Sequence, residues 1–224
     1  MPITLTYFPM YARAEKVRLA LTVCGVEFVD NRLEGDVNKA FRDSDKCEYG
    51  GLPVLELEDG TCLAQANAIL RYIENRWGKN GGLQQNDDPL VFYKADSLRE
   101  YFNGDFIDKH WTSMCFSKLT GDELTAAWDE KLAGPITKAL DIFESKAPVE
   151  EGKFFLGDKI SMIDIFMGGW FALIYQSKEE DPILYAKEAI RKLIEARPKT
   201  NAWSKAFRGG VLKEYLANRP ECKF

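Results

Sequence analysis

The chain has one histidine, His110, and only five cysteines, Cys24, Cys47, Cys62, Cys115 and Cys222, at irregular spacing. No two of the cysteines form a C-x-x-C pair, which excludes the usual zinc-ribbon and dithiol redox signatures. A single histidine without triad or ligand partners reads as structural. A basic excess is also missing: 30 Lys and Arg stand against 35 Asp and Glu, for a net charge of −5. That balance argues against a nucleic acid or an anionic membrane as partner. Long apolar runs are absent, and the longest, Ile165 to Tyr175, is too short to span a bilayer. The start, Met1-Pro2-Ile3-Thr4-Leu5-Thr6, has neither the basic region nor the apolar core of a secretory signal. Together these absences lead us to expect a cytoplasmic protein with reduced thiols, no metal and no membrane.

With 224 residues and 46% hydrophobic composition, the chain can bury one or two cores. Ile3 to Tyr7 is short and β-prone, and Pro9 ends it. Arg13 to Cys24 places Val17, Ala20, Leu21 and Cys24 on one helical face, with Gly25 as the C-terminal cap. Val26 to Leu33 alternates as a half-buried strand does, and Glu34 to Tyr49 is polar enough for a loop with a weak helix. Two short apolar runs then flank Asp59-Gly60, which predicts a hairpin with a two-residue turn. After it, Ala68, Ile69, Tyr72 and Ile73 recur at helical spacing. The order β-α-β-α-β-β-α predicts a thioredoxin-like α/β domain over residues 1–77.

Residues 78–88, rich in Gly, Asn and Gln, read as a linker, with Pro89 opening the next helix. From 89 to 224 the periodicity is helical, predicting an all-helical second domain. Its helices are expected from Leu90 to about Leu119 with a bend at Gly104, and from Glu123 to Lys146 with a break at Gly134-Pro135. Two more are expected near Ile183–Ala196 and Asn201–Leu216. Ser161-Met162-Ile163-Asp164 has the form of a capping box opening a further helix, whose Gly168-Gly169 costs stability unless another helix packs closely there.

The most informative stretch is Gly50 to Ile73. A hairpin that runs directly into a helix N-terminus offers backbone N–H groups and a dipole end to an anion. Pro53 follows Gly50-Gly51-Leu52, and a cis Leu52-Pro53 bond would free the Leu52 N–H and C=O to pair with an extended peptide. A peptide slot beside an anion site points to a small peptide with a carboxylate at one end.

Leu52-Pro53-Val54-Leu55-Glu56, followed by Gln65-x-Asn67-Ala68-Ile69-x-Arg71-Tyr72, resembles the glutathione-binding segment of cytosolic glutathione transferases. Thr6-Tyr7-Phe8 with Arg13-Ala14-Glu15 is most similar to the sigma class, which includes glutathione-dependent prostaglandin D synthases. The resemblance implies glutathione as co-substrate, a hydrophobic electrophile as second substrate, and a homodimer. It implies that Tyr7 activates the thiol, assisted by Arg13. A phenol suits that role because its ordinary pKa near 10 keeps a proton available for donation. The Leu52-Pro53 backbone would hold the cysteinyl part, Gly51 stands where the family has a Lys or Gln for the glycine carboxylate but supplies no side chain, and Gln65 with the Ala66 N–H would hold the γ-glutamyl carboxylate. Where the family usually has Ser after that Gln, this chain has Ala66; a lost hydrogen bond to a charged group costs about 1.5–3 kcal/mol. Lys46, with Lys39 and Arg42 as alternatives, is the candidate for the glycine carboxylate, since no Trp precedes Arg76. Asp105, in the middle of the long helix, would reach the γ-glutamyl amine across the dimer. Met10, Tyr11, Trp111, Met114 and Phe116 are candidates for the acceptor pocket. The alternatives are a non-catalytic ligand-binding or crystallin-like protein, and a glutathione-dependent prostaglandin isomerase.

Overall fold

Strand β1 (Thr4–Tyr7) is the second strand of a four-stranded sheet in the order β2-β1-β3-β4. The computed structural model describes residues 1–115, 117, 119, 121–148, 150, 152–176 and 183–220. Strand β2 (Val29–Arg32) runs parallel to β1, returned by helix α1 (Ala12–Val23). Helix α2 (Gly35–Arg42) leads to β3 (Val54–Glu56) and β4 (Cys62–Ala64), both added antiparallel. Helix α3 (Ala66–Ile73) closes the expected β-α-β-α-β-β-α order. Apolar spacing explains most of this layer. Val17, Leu21, Ile69, Leu70 and Ile73 are buried, and α1 packs on α3.

Several expectations shift in detail. Strand β2 is shorter than the alternation from Val26 to Leu33 suggested. The turn at Asp59-Gly60 has three residues rather than two: Leu57 N–H donates to Thr61 C=O, and Gly60 N–H donates back to Leu57 C=O. Gly60 sits at φ +87° and the Asp59 carboxylate accepts the Thr61 N–H, the arrangement that a bulged three-residue turn demands. The supposed linker is docked as far as Leu83. Leu83 is buried, and a Cβ on Gly81 would stand 2.6 Å from Cys24 Cα.

The chain separates into two compact units, Met1–Gln84 together with the segment from Val211, and Gln85–Gly210. The second-domain boundary expected at the chain's end therefore moves back to Val211. The expected last helix is in fact two, α10 (Pro198–Arg208) and α11 (Leu212–Asn218), separated at Gly209-Gly210, with Gly210 at φ +53°. Helix α11 packs on α1 because its Tyr215 and the following Arg219 reach the buried carboxylate of Glu15.

In the second unit, α4 (Pro89–Glu100) starts at Pro89 with Asp88 as cap, its carboxylate accepting from Leu90 and Val91 N–H. It continues as a π-wound stretch, Tyr101–Trp111, and a last turn α5 (Thr112–Cys115). Phe116 lies outside the described residues, as does Cys222. Helix α6 (Gly121–Ala127) and a π-wound turn (Trp128–Leu132) precede α7 (Ala133–Lys146), so the break falls before Gly134 and Pro135 sits in the first turn of α7. Helix α8 (Met162–Ile174) is followed by α9 (Leu184–Glu195) and then α10. The capping box is present in full, with Ser161 Oγ and Asp164 bonding reciprocally to each other's backbone N–H. Gly168 is required by packing: a Cβ there would lie 2.0 Å from Phe207 Cζ on α10. Phe102, Phe143, Phe171 and Trp203 form the aromatic centre of this core. Among the described residues no helix is long and apolar enough to cross a membrane.

Candidate functional site

Sheet register builds the site in the first unit. Thr6 opposes Val54, and Val54 opposes Ala64. One residue further along each strand stand Tyr7, Pro53 and Gln65, side by side at one end of the sheet. Strands lie about 4.8 Å apart, so the outer two positions are about 10 Å apart. A fully extended tripeptide covers about the same distance.

Tyr7 is buried, and its hydroxyl oxygen accepts a long hydrogen bond from the Arg13 N–H at 3.4 Å. Burial pushes the phenol above its ordinary value, outweighing the opposing pull of the Arg13 N–H and the Arg13 and Arg18 charges. The hydroxyl therefore keeps its proton. The N–H occupies one side of the oxygen and leaves the O–H free to donate elsewhere. Arg13 itself is exposed in the first turn of α1.

The Leu52–Pro53 bond is cis, and among the described residues no backbone hydrogen bond engages Leu52. Gly51 contributes only backbone, its C=O accepting from Cys47 Sγ at 3.2 Å. Gln65 stands at φ +69°, ψ +105°, a conformation that non-glycine residues rarely adopt. It is the N-cap of α3 and its side chain makes no capping hydrogen bond. The N–H groups of the first turn, Ala66 included, thus remain available to an anion. The Asn67 carboxamide oxygen accepts from Lys16 Nζ at 2.7 Å, and only its NH2 could donate to a carboxylate in place of the hydroxyl that Ala66 lacks.

Other candidates fall differently. Lys46 pairs with both oxygens of Glu56 at 2.7 and 2.8 Å, so its charge is already balanced within the chain. Lys39 and Arg42 are exposed on α2. Tyr11 does not face an open pocket: it is 1% exposed, and its hydroxyl donates to the Pro220 C=O at 2.8 Å. Met10 is half-buried beside it. In the second unit Trp111 and Met114 share a cavity of about 260 Å³ with Leu124, Trp128 and Tyr185. Asp105 is exposed on the surface of the second unit, beside Tyr93 and Tyr101 in a shallow depression. Among the described residues no group of three or more His, Cys, Asp and Glu gathers as a metal site. The contacts of Glu15 with Tyr215 and Arg219 had no local signal, because the partners are 200 residues or more away in sequence.

Residues 1–75 match the family model described as glutathione S-transferase, N-terminal domain. The chain is 28% identical over 225 residues to the probable glutathione S-transferase 6 of Caenorhabditis elegans, covering 98% of each protein. It is 27% identical to S-crystallin 4 of Enteroctopus dofleini, over 89% of this chain and 94% of that one. A crystal structure of a monomeric glutathione S-transferase from the hookworm Necator americanus covers 100% of both chains, with a TM-score of 0.77 and 24% identity.

Proposed function

We propose that this chain, which has the glutathione S-transferase fold and carries that family's amino-terminal domain, conjugates reduced glutathione to hydrophobic electrophiles. The observation that carries the reading is the alignment of Tyr7, Pro53 and Gln65 across one sheet end, a tripeptide's length from thiol activator to anion site. Gln65 and the Ala66 N–H take the γ-glutamyl carboxylate, and the Leu52-Pro53 backbone takes the cysteinyl part, with Gly51 at the glycine end supplying no side chain. Tyr7 donates its hydroxyl proton in a hydrogen bond to the sulfur, with Arg13 beside it. A thiol of ordinary pKa near 8.5 is only a few per cent ionised at pH 7, and each unit of lowering is worth about 1.4 kcal/mol. The thiolate then forms a carbon–sulfur bond with the acceptor. A halide departs from an aryl halide, or the electron pair moves onto the carbonyl of an unsaturated ketone and is protonated there. Trp111 and Met114 contribute the apolar surface that receives the acceptor. The protein acts in the cytoplasm as a homodimer, with Asp105 reaching the γ-glutamyl amine across the subunit interface. Lys46 serves the glycine carboxylate only by exchanging Glu56 for it.

A second reading, a binding or structural protein on the same fold, is favoured by one observation. Ala66 lacks the hydroxyl that would donate to the γ-glutamyl carboxylate. Calorimetric titration of glutathione into the wild type and Ala66→Ser separates the two. We expect micromolar to low-millimolar binding that tightens about tenfold or more in Ala66→Ser, the equivalent of one recovered charged hydrogen bond. No heat from either protein at about 10 mM glutathione, beyond ordinary enzyme affinities, overturns the transferase reading.

A further inference from the structure

The loop that brings Arg13 to Tyr7 is held in an uncommon shape. Ala12, between Tyr11 and Arg13, stands at φ +32°, outside the regions that residues with a Cβ favour. Such backbone persists only where the surroundings over-determine it. Here the flanking residues are each tied down. Arg18, fully buried, donates to the Met10 C=O at 3.1 Å and to Asp30 at 3.0 Å. Tyr11 donates to the Pro220 C=O, and the Arg219 guanidinium lies over the Tyr11 ring at 4.1 Å. Glu15, 2% exposed, accepts from Arg219 Nη1, from the Tyr215 hydroxyl at 3.2 and 3.3 Å, and from Arg18 Nη1 at 3.4 Å. Most of these ties come from residues 215–220, and all lie within the first unit.

We propose that the carboxy-terminal segment Tyr215–Pro220 is a positioning element of the thiol site: Arg219 and Tyr215 fix Glu15 and Pro220 fixes Tyr11, which together hold the 10–13 loop so that the Arg13 N–H meets the Tyr7 hydroxyl oxygen. The inference rests on Tyr7 being the thiol activator. Arg219 acts through Glu15 and through the Tyr11 ring that its guanidinium covers. The charges that act on Tyr7 directly are those of Arg13 and Arg18, both on α1, so a shift of α1 moves both together. Among the described residues, Arg18 is the cationic partner that the buried Glu15 carboxylate keeps without Arg219. The first turn of α1 is then free to relax toward ordinary backbone angles. The N–H leaves the phenol oxygen, the phenol loses its fixed orientation, and the thiolate loses its donor.

The test is a pH titration of the ultraviolet thiolate absorbance of bound glutathione, with no acceptor present, in the wild type, Arg219→Gln, Arg219→Lys and Tyr215→Phe. Arg219→Gln should raise the thiolate midpoint by about one pH unit, a tenfold smaller thiolate fraction below it. Glutathione affinity by calorimetry at pH 6 should stay within about threefold, because the peptide-binding backbone is untouched. Arg219→Lys should recover part of the shift, since it restores the charge without the fork. Tyr215→Phe, which keeps shape and charge, should shift the midpoint less but in the same direction, and it stands in if Arg219→Gln does not fold. Folded variants with an unchanged midpoint overturn the proposal. So does a loss of affinity in step with lost thermal stability at constant midpoint, the mark of a merely structural tie. A wild type with bound glutathione but no thiolate band instead overturns the assignment of Tyr7, and this inference with it.

Discussion

In its proposed role as thiol donor Tyr7 works only as a neutral phenol, and burial favours that form. The donor form exists below the phenol pKa and is lost as pH rises through it; with that pKa raised above 10, the donor survives across the working range. The rate profile should therefore rise once, as the glutathione thiol ionises, and hold level to about pH 10. A falling limb near pH 8 to 9 would mean that Tyr7 titrates early and is not the donor. Tyr7→Phe removes the donor without changing the ring. It should lower kcat/KM by about one to two orders of magnitude, the weight of one charge-assisted hydrogen bond, with glutathione affinity nearly unchanged. Stopped-flow conjugation with an aryl halide reads both quantities. Cys24 illustrates the opposite use of burial. It is half-buried near Glu74, and its thiol is pushed up to about 11. Alkylation at pH 8 should leave it unmodified, because the thiolate is the reactive form.

Among the elements, α8 shows how local and tertiary rules combine. Ser161 and Asp164 cap it, and Asp164 also accepts from Trp203 Nε1 at 2.7 Å and from the Phe155 N–H. Ser161→Ala should destabilise the protein by about 1 kcal/mol, as a lost N-cap does. Asp164→Ala should cost more, since it leaves several buried donors without an acceptor. Gly168→Ala is the sharper case. In open helix it would stabilise, but here the new methyl collides with the Phe207 ring, so a loss of about 1–3 kcal/mol is expected. Phe207→Leu in the same chain should return part of the loss, and chemical denaturation of the four variants measures it. A Gly168→Ala variant as stable as the wild type would show that α8 and α10 separate in solution.

At the scale of the whole molecule the prediction concerns assembly. If Asp105 serves a neighbouring subunit, sedimentation should give a dimer at micromolar concentration, and Asp105→Asn should weaken glutathione binding without changing the dimer. A monomer that binds glutathione as tightly as the wild type after Asp105→Asn removes that role. The division into units also matters here. The last helix belongs with the first unit, so removing residues from Val211 onward should impair thiolate formation before it impairs the helical unit.

What the sequence determined by itself was everything carried by short-range rules. Asp59-Gly60 marked the hairpin, Gly25 the end of α1, Pro89 the start of α4, and Ser161-x-x-Asp164 the cap of α8, because turns and caps depend on residues a few positions apart. The same short-range rules drew attention to the Leu52-Pro53 bond and to Gln65, the positions proposed here for the peptide and anion ends of the site. The tertiary structure decided the rest. The register put Tyr7, Pro53 and Gln65 at one sheet end. It paired Lys46 with Glu56, buried Tyr11 under Arg219, and returned the last helix to α1. Those outcomes rest on partners up to 209 residues apart, as for Tyr11 and Pro220. No local periodicity encodes such a pairing, because a buried charge takes whichever opposite charge the fold brings to it.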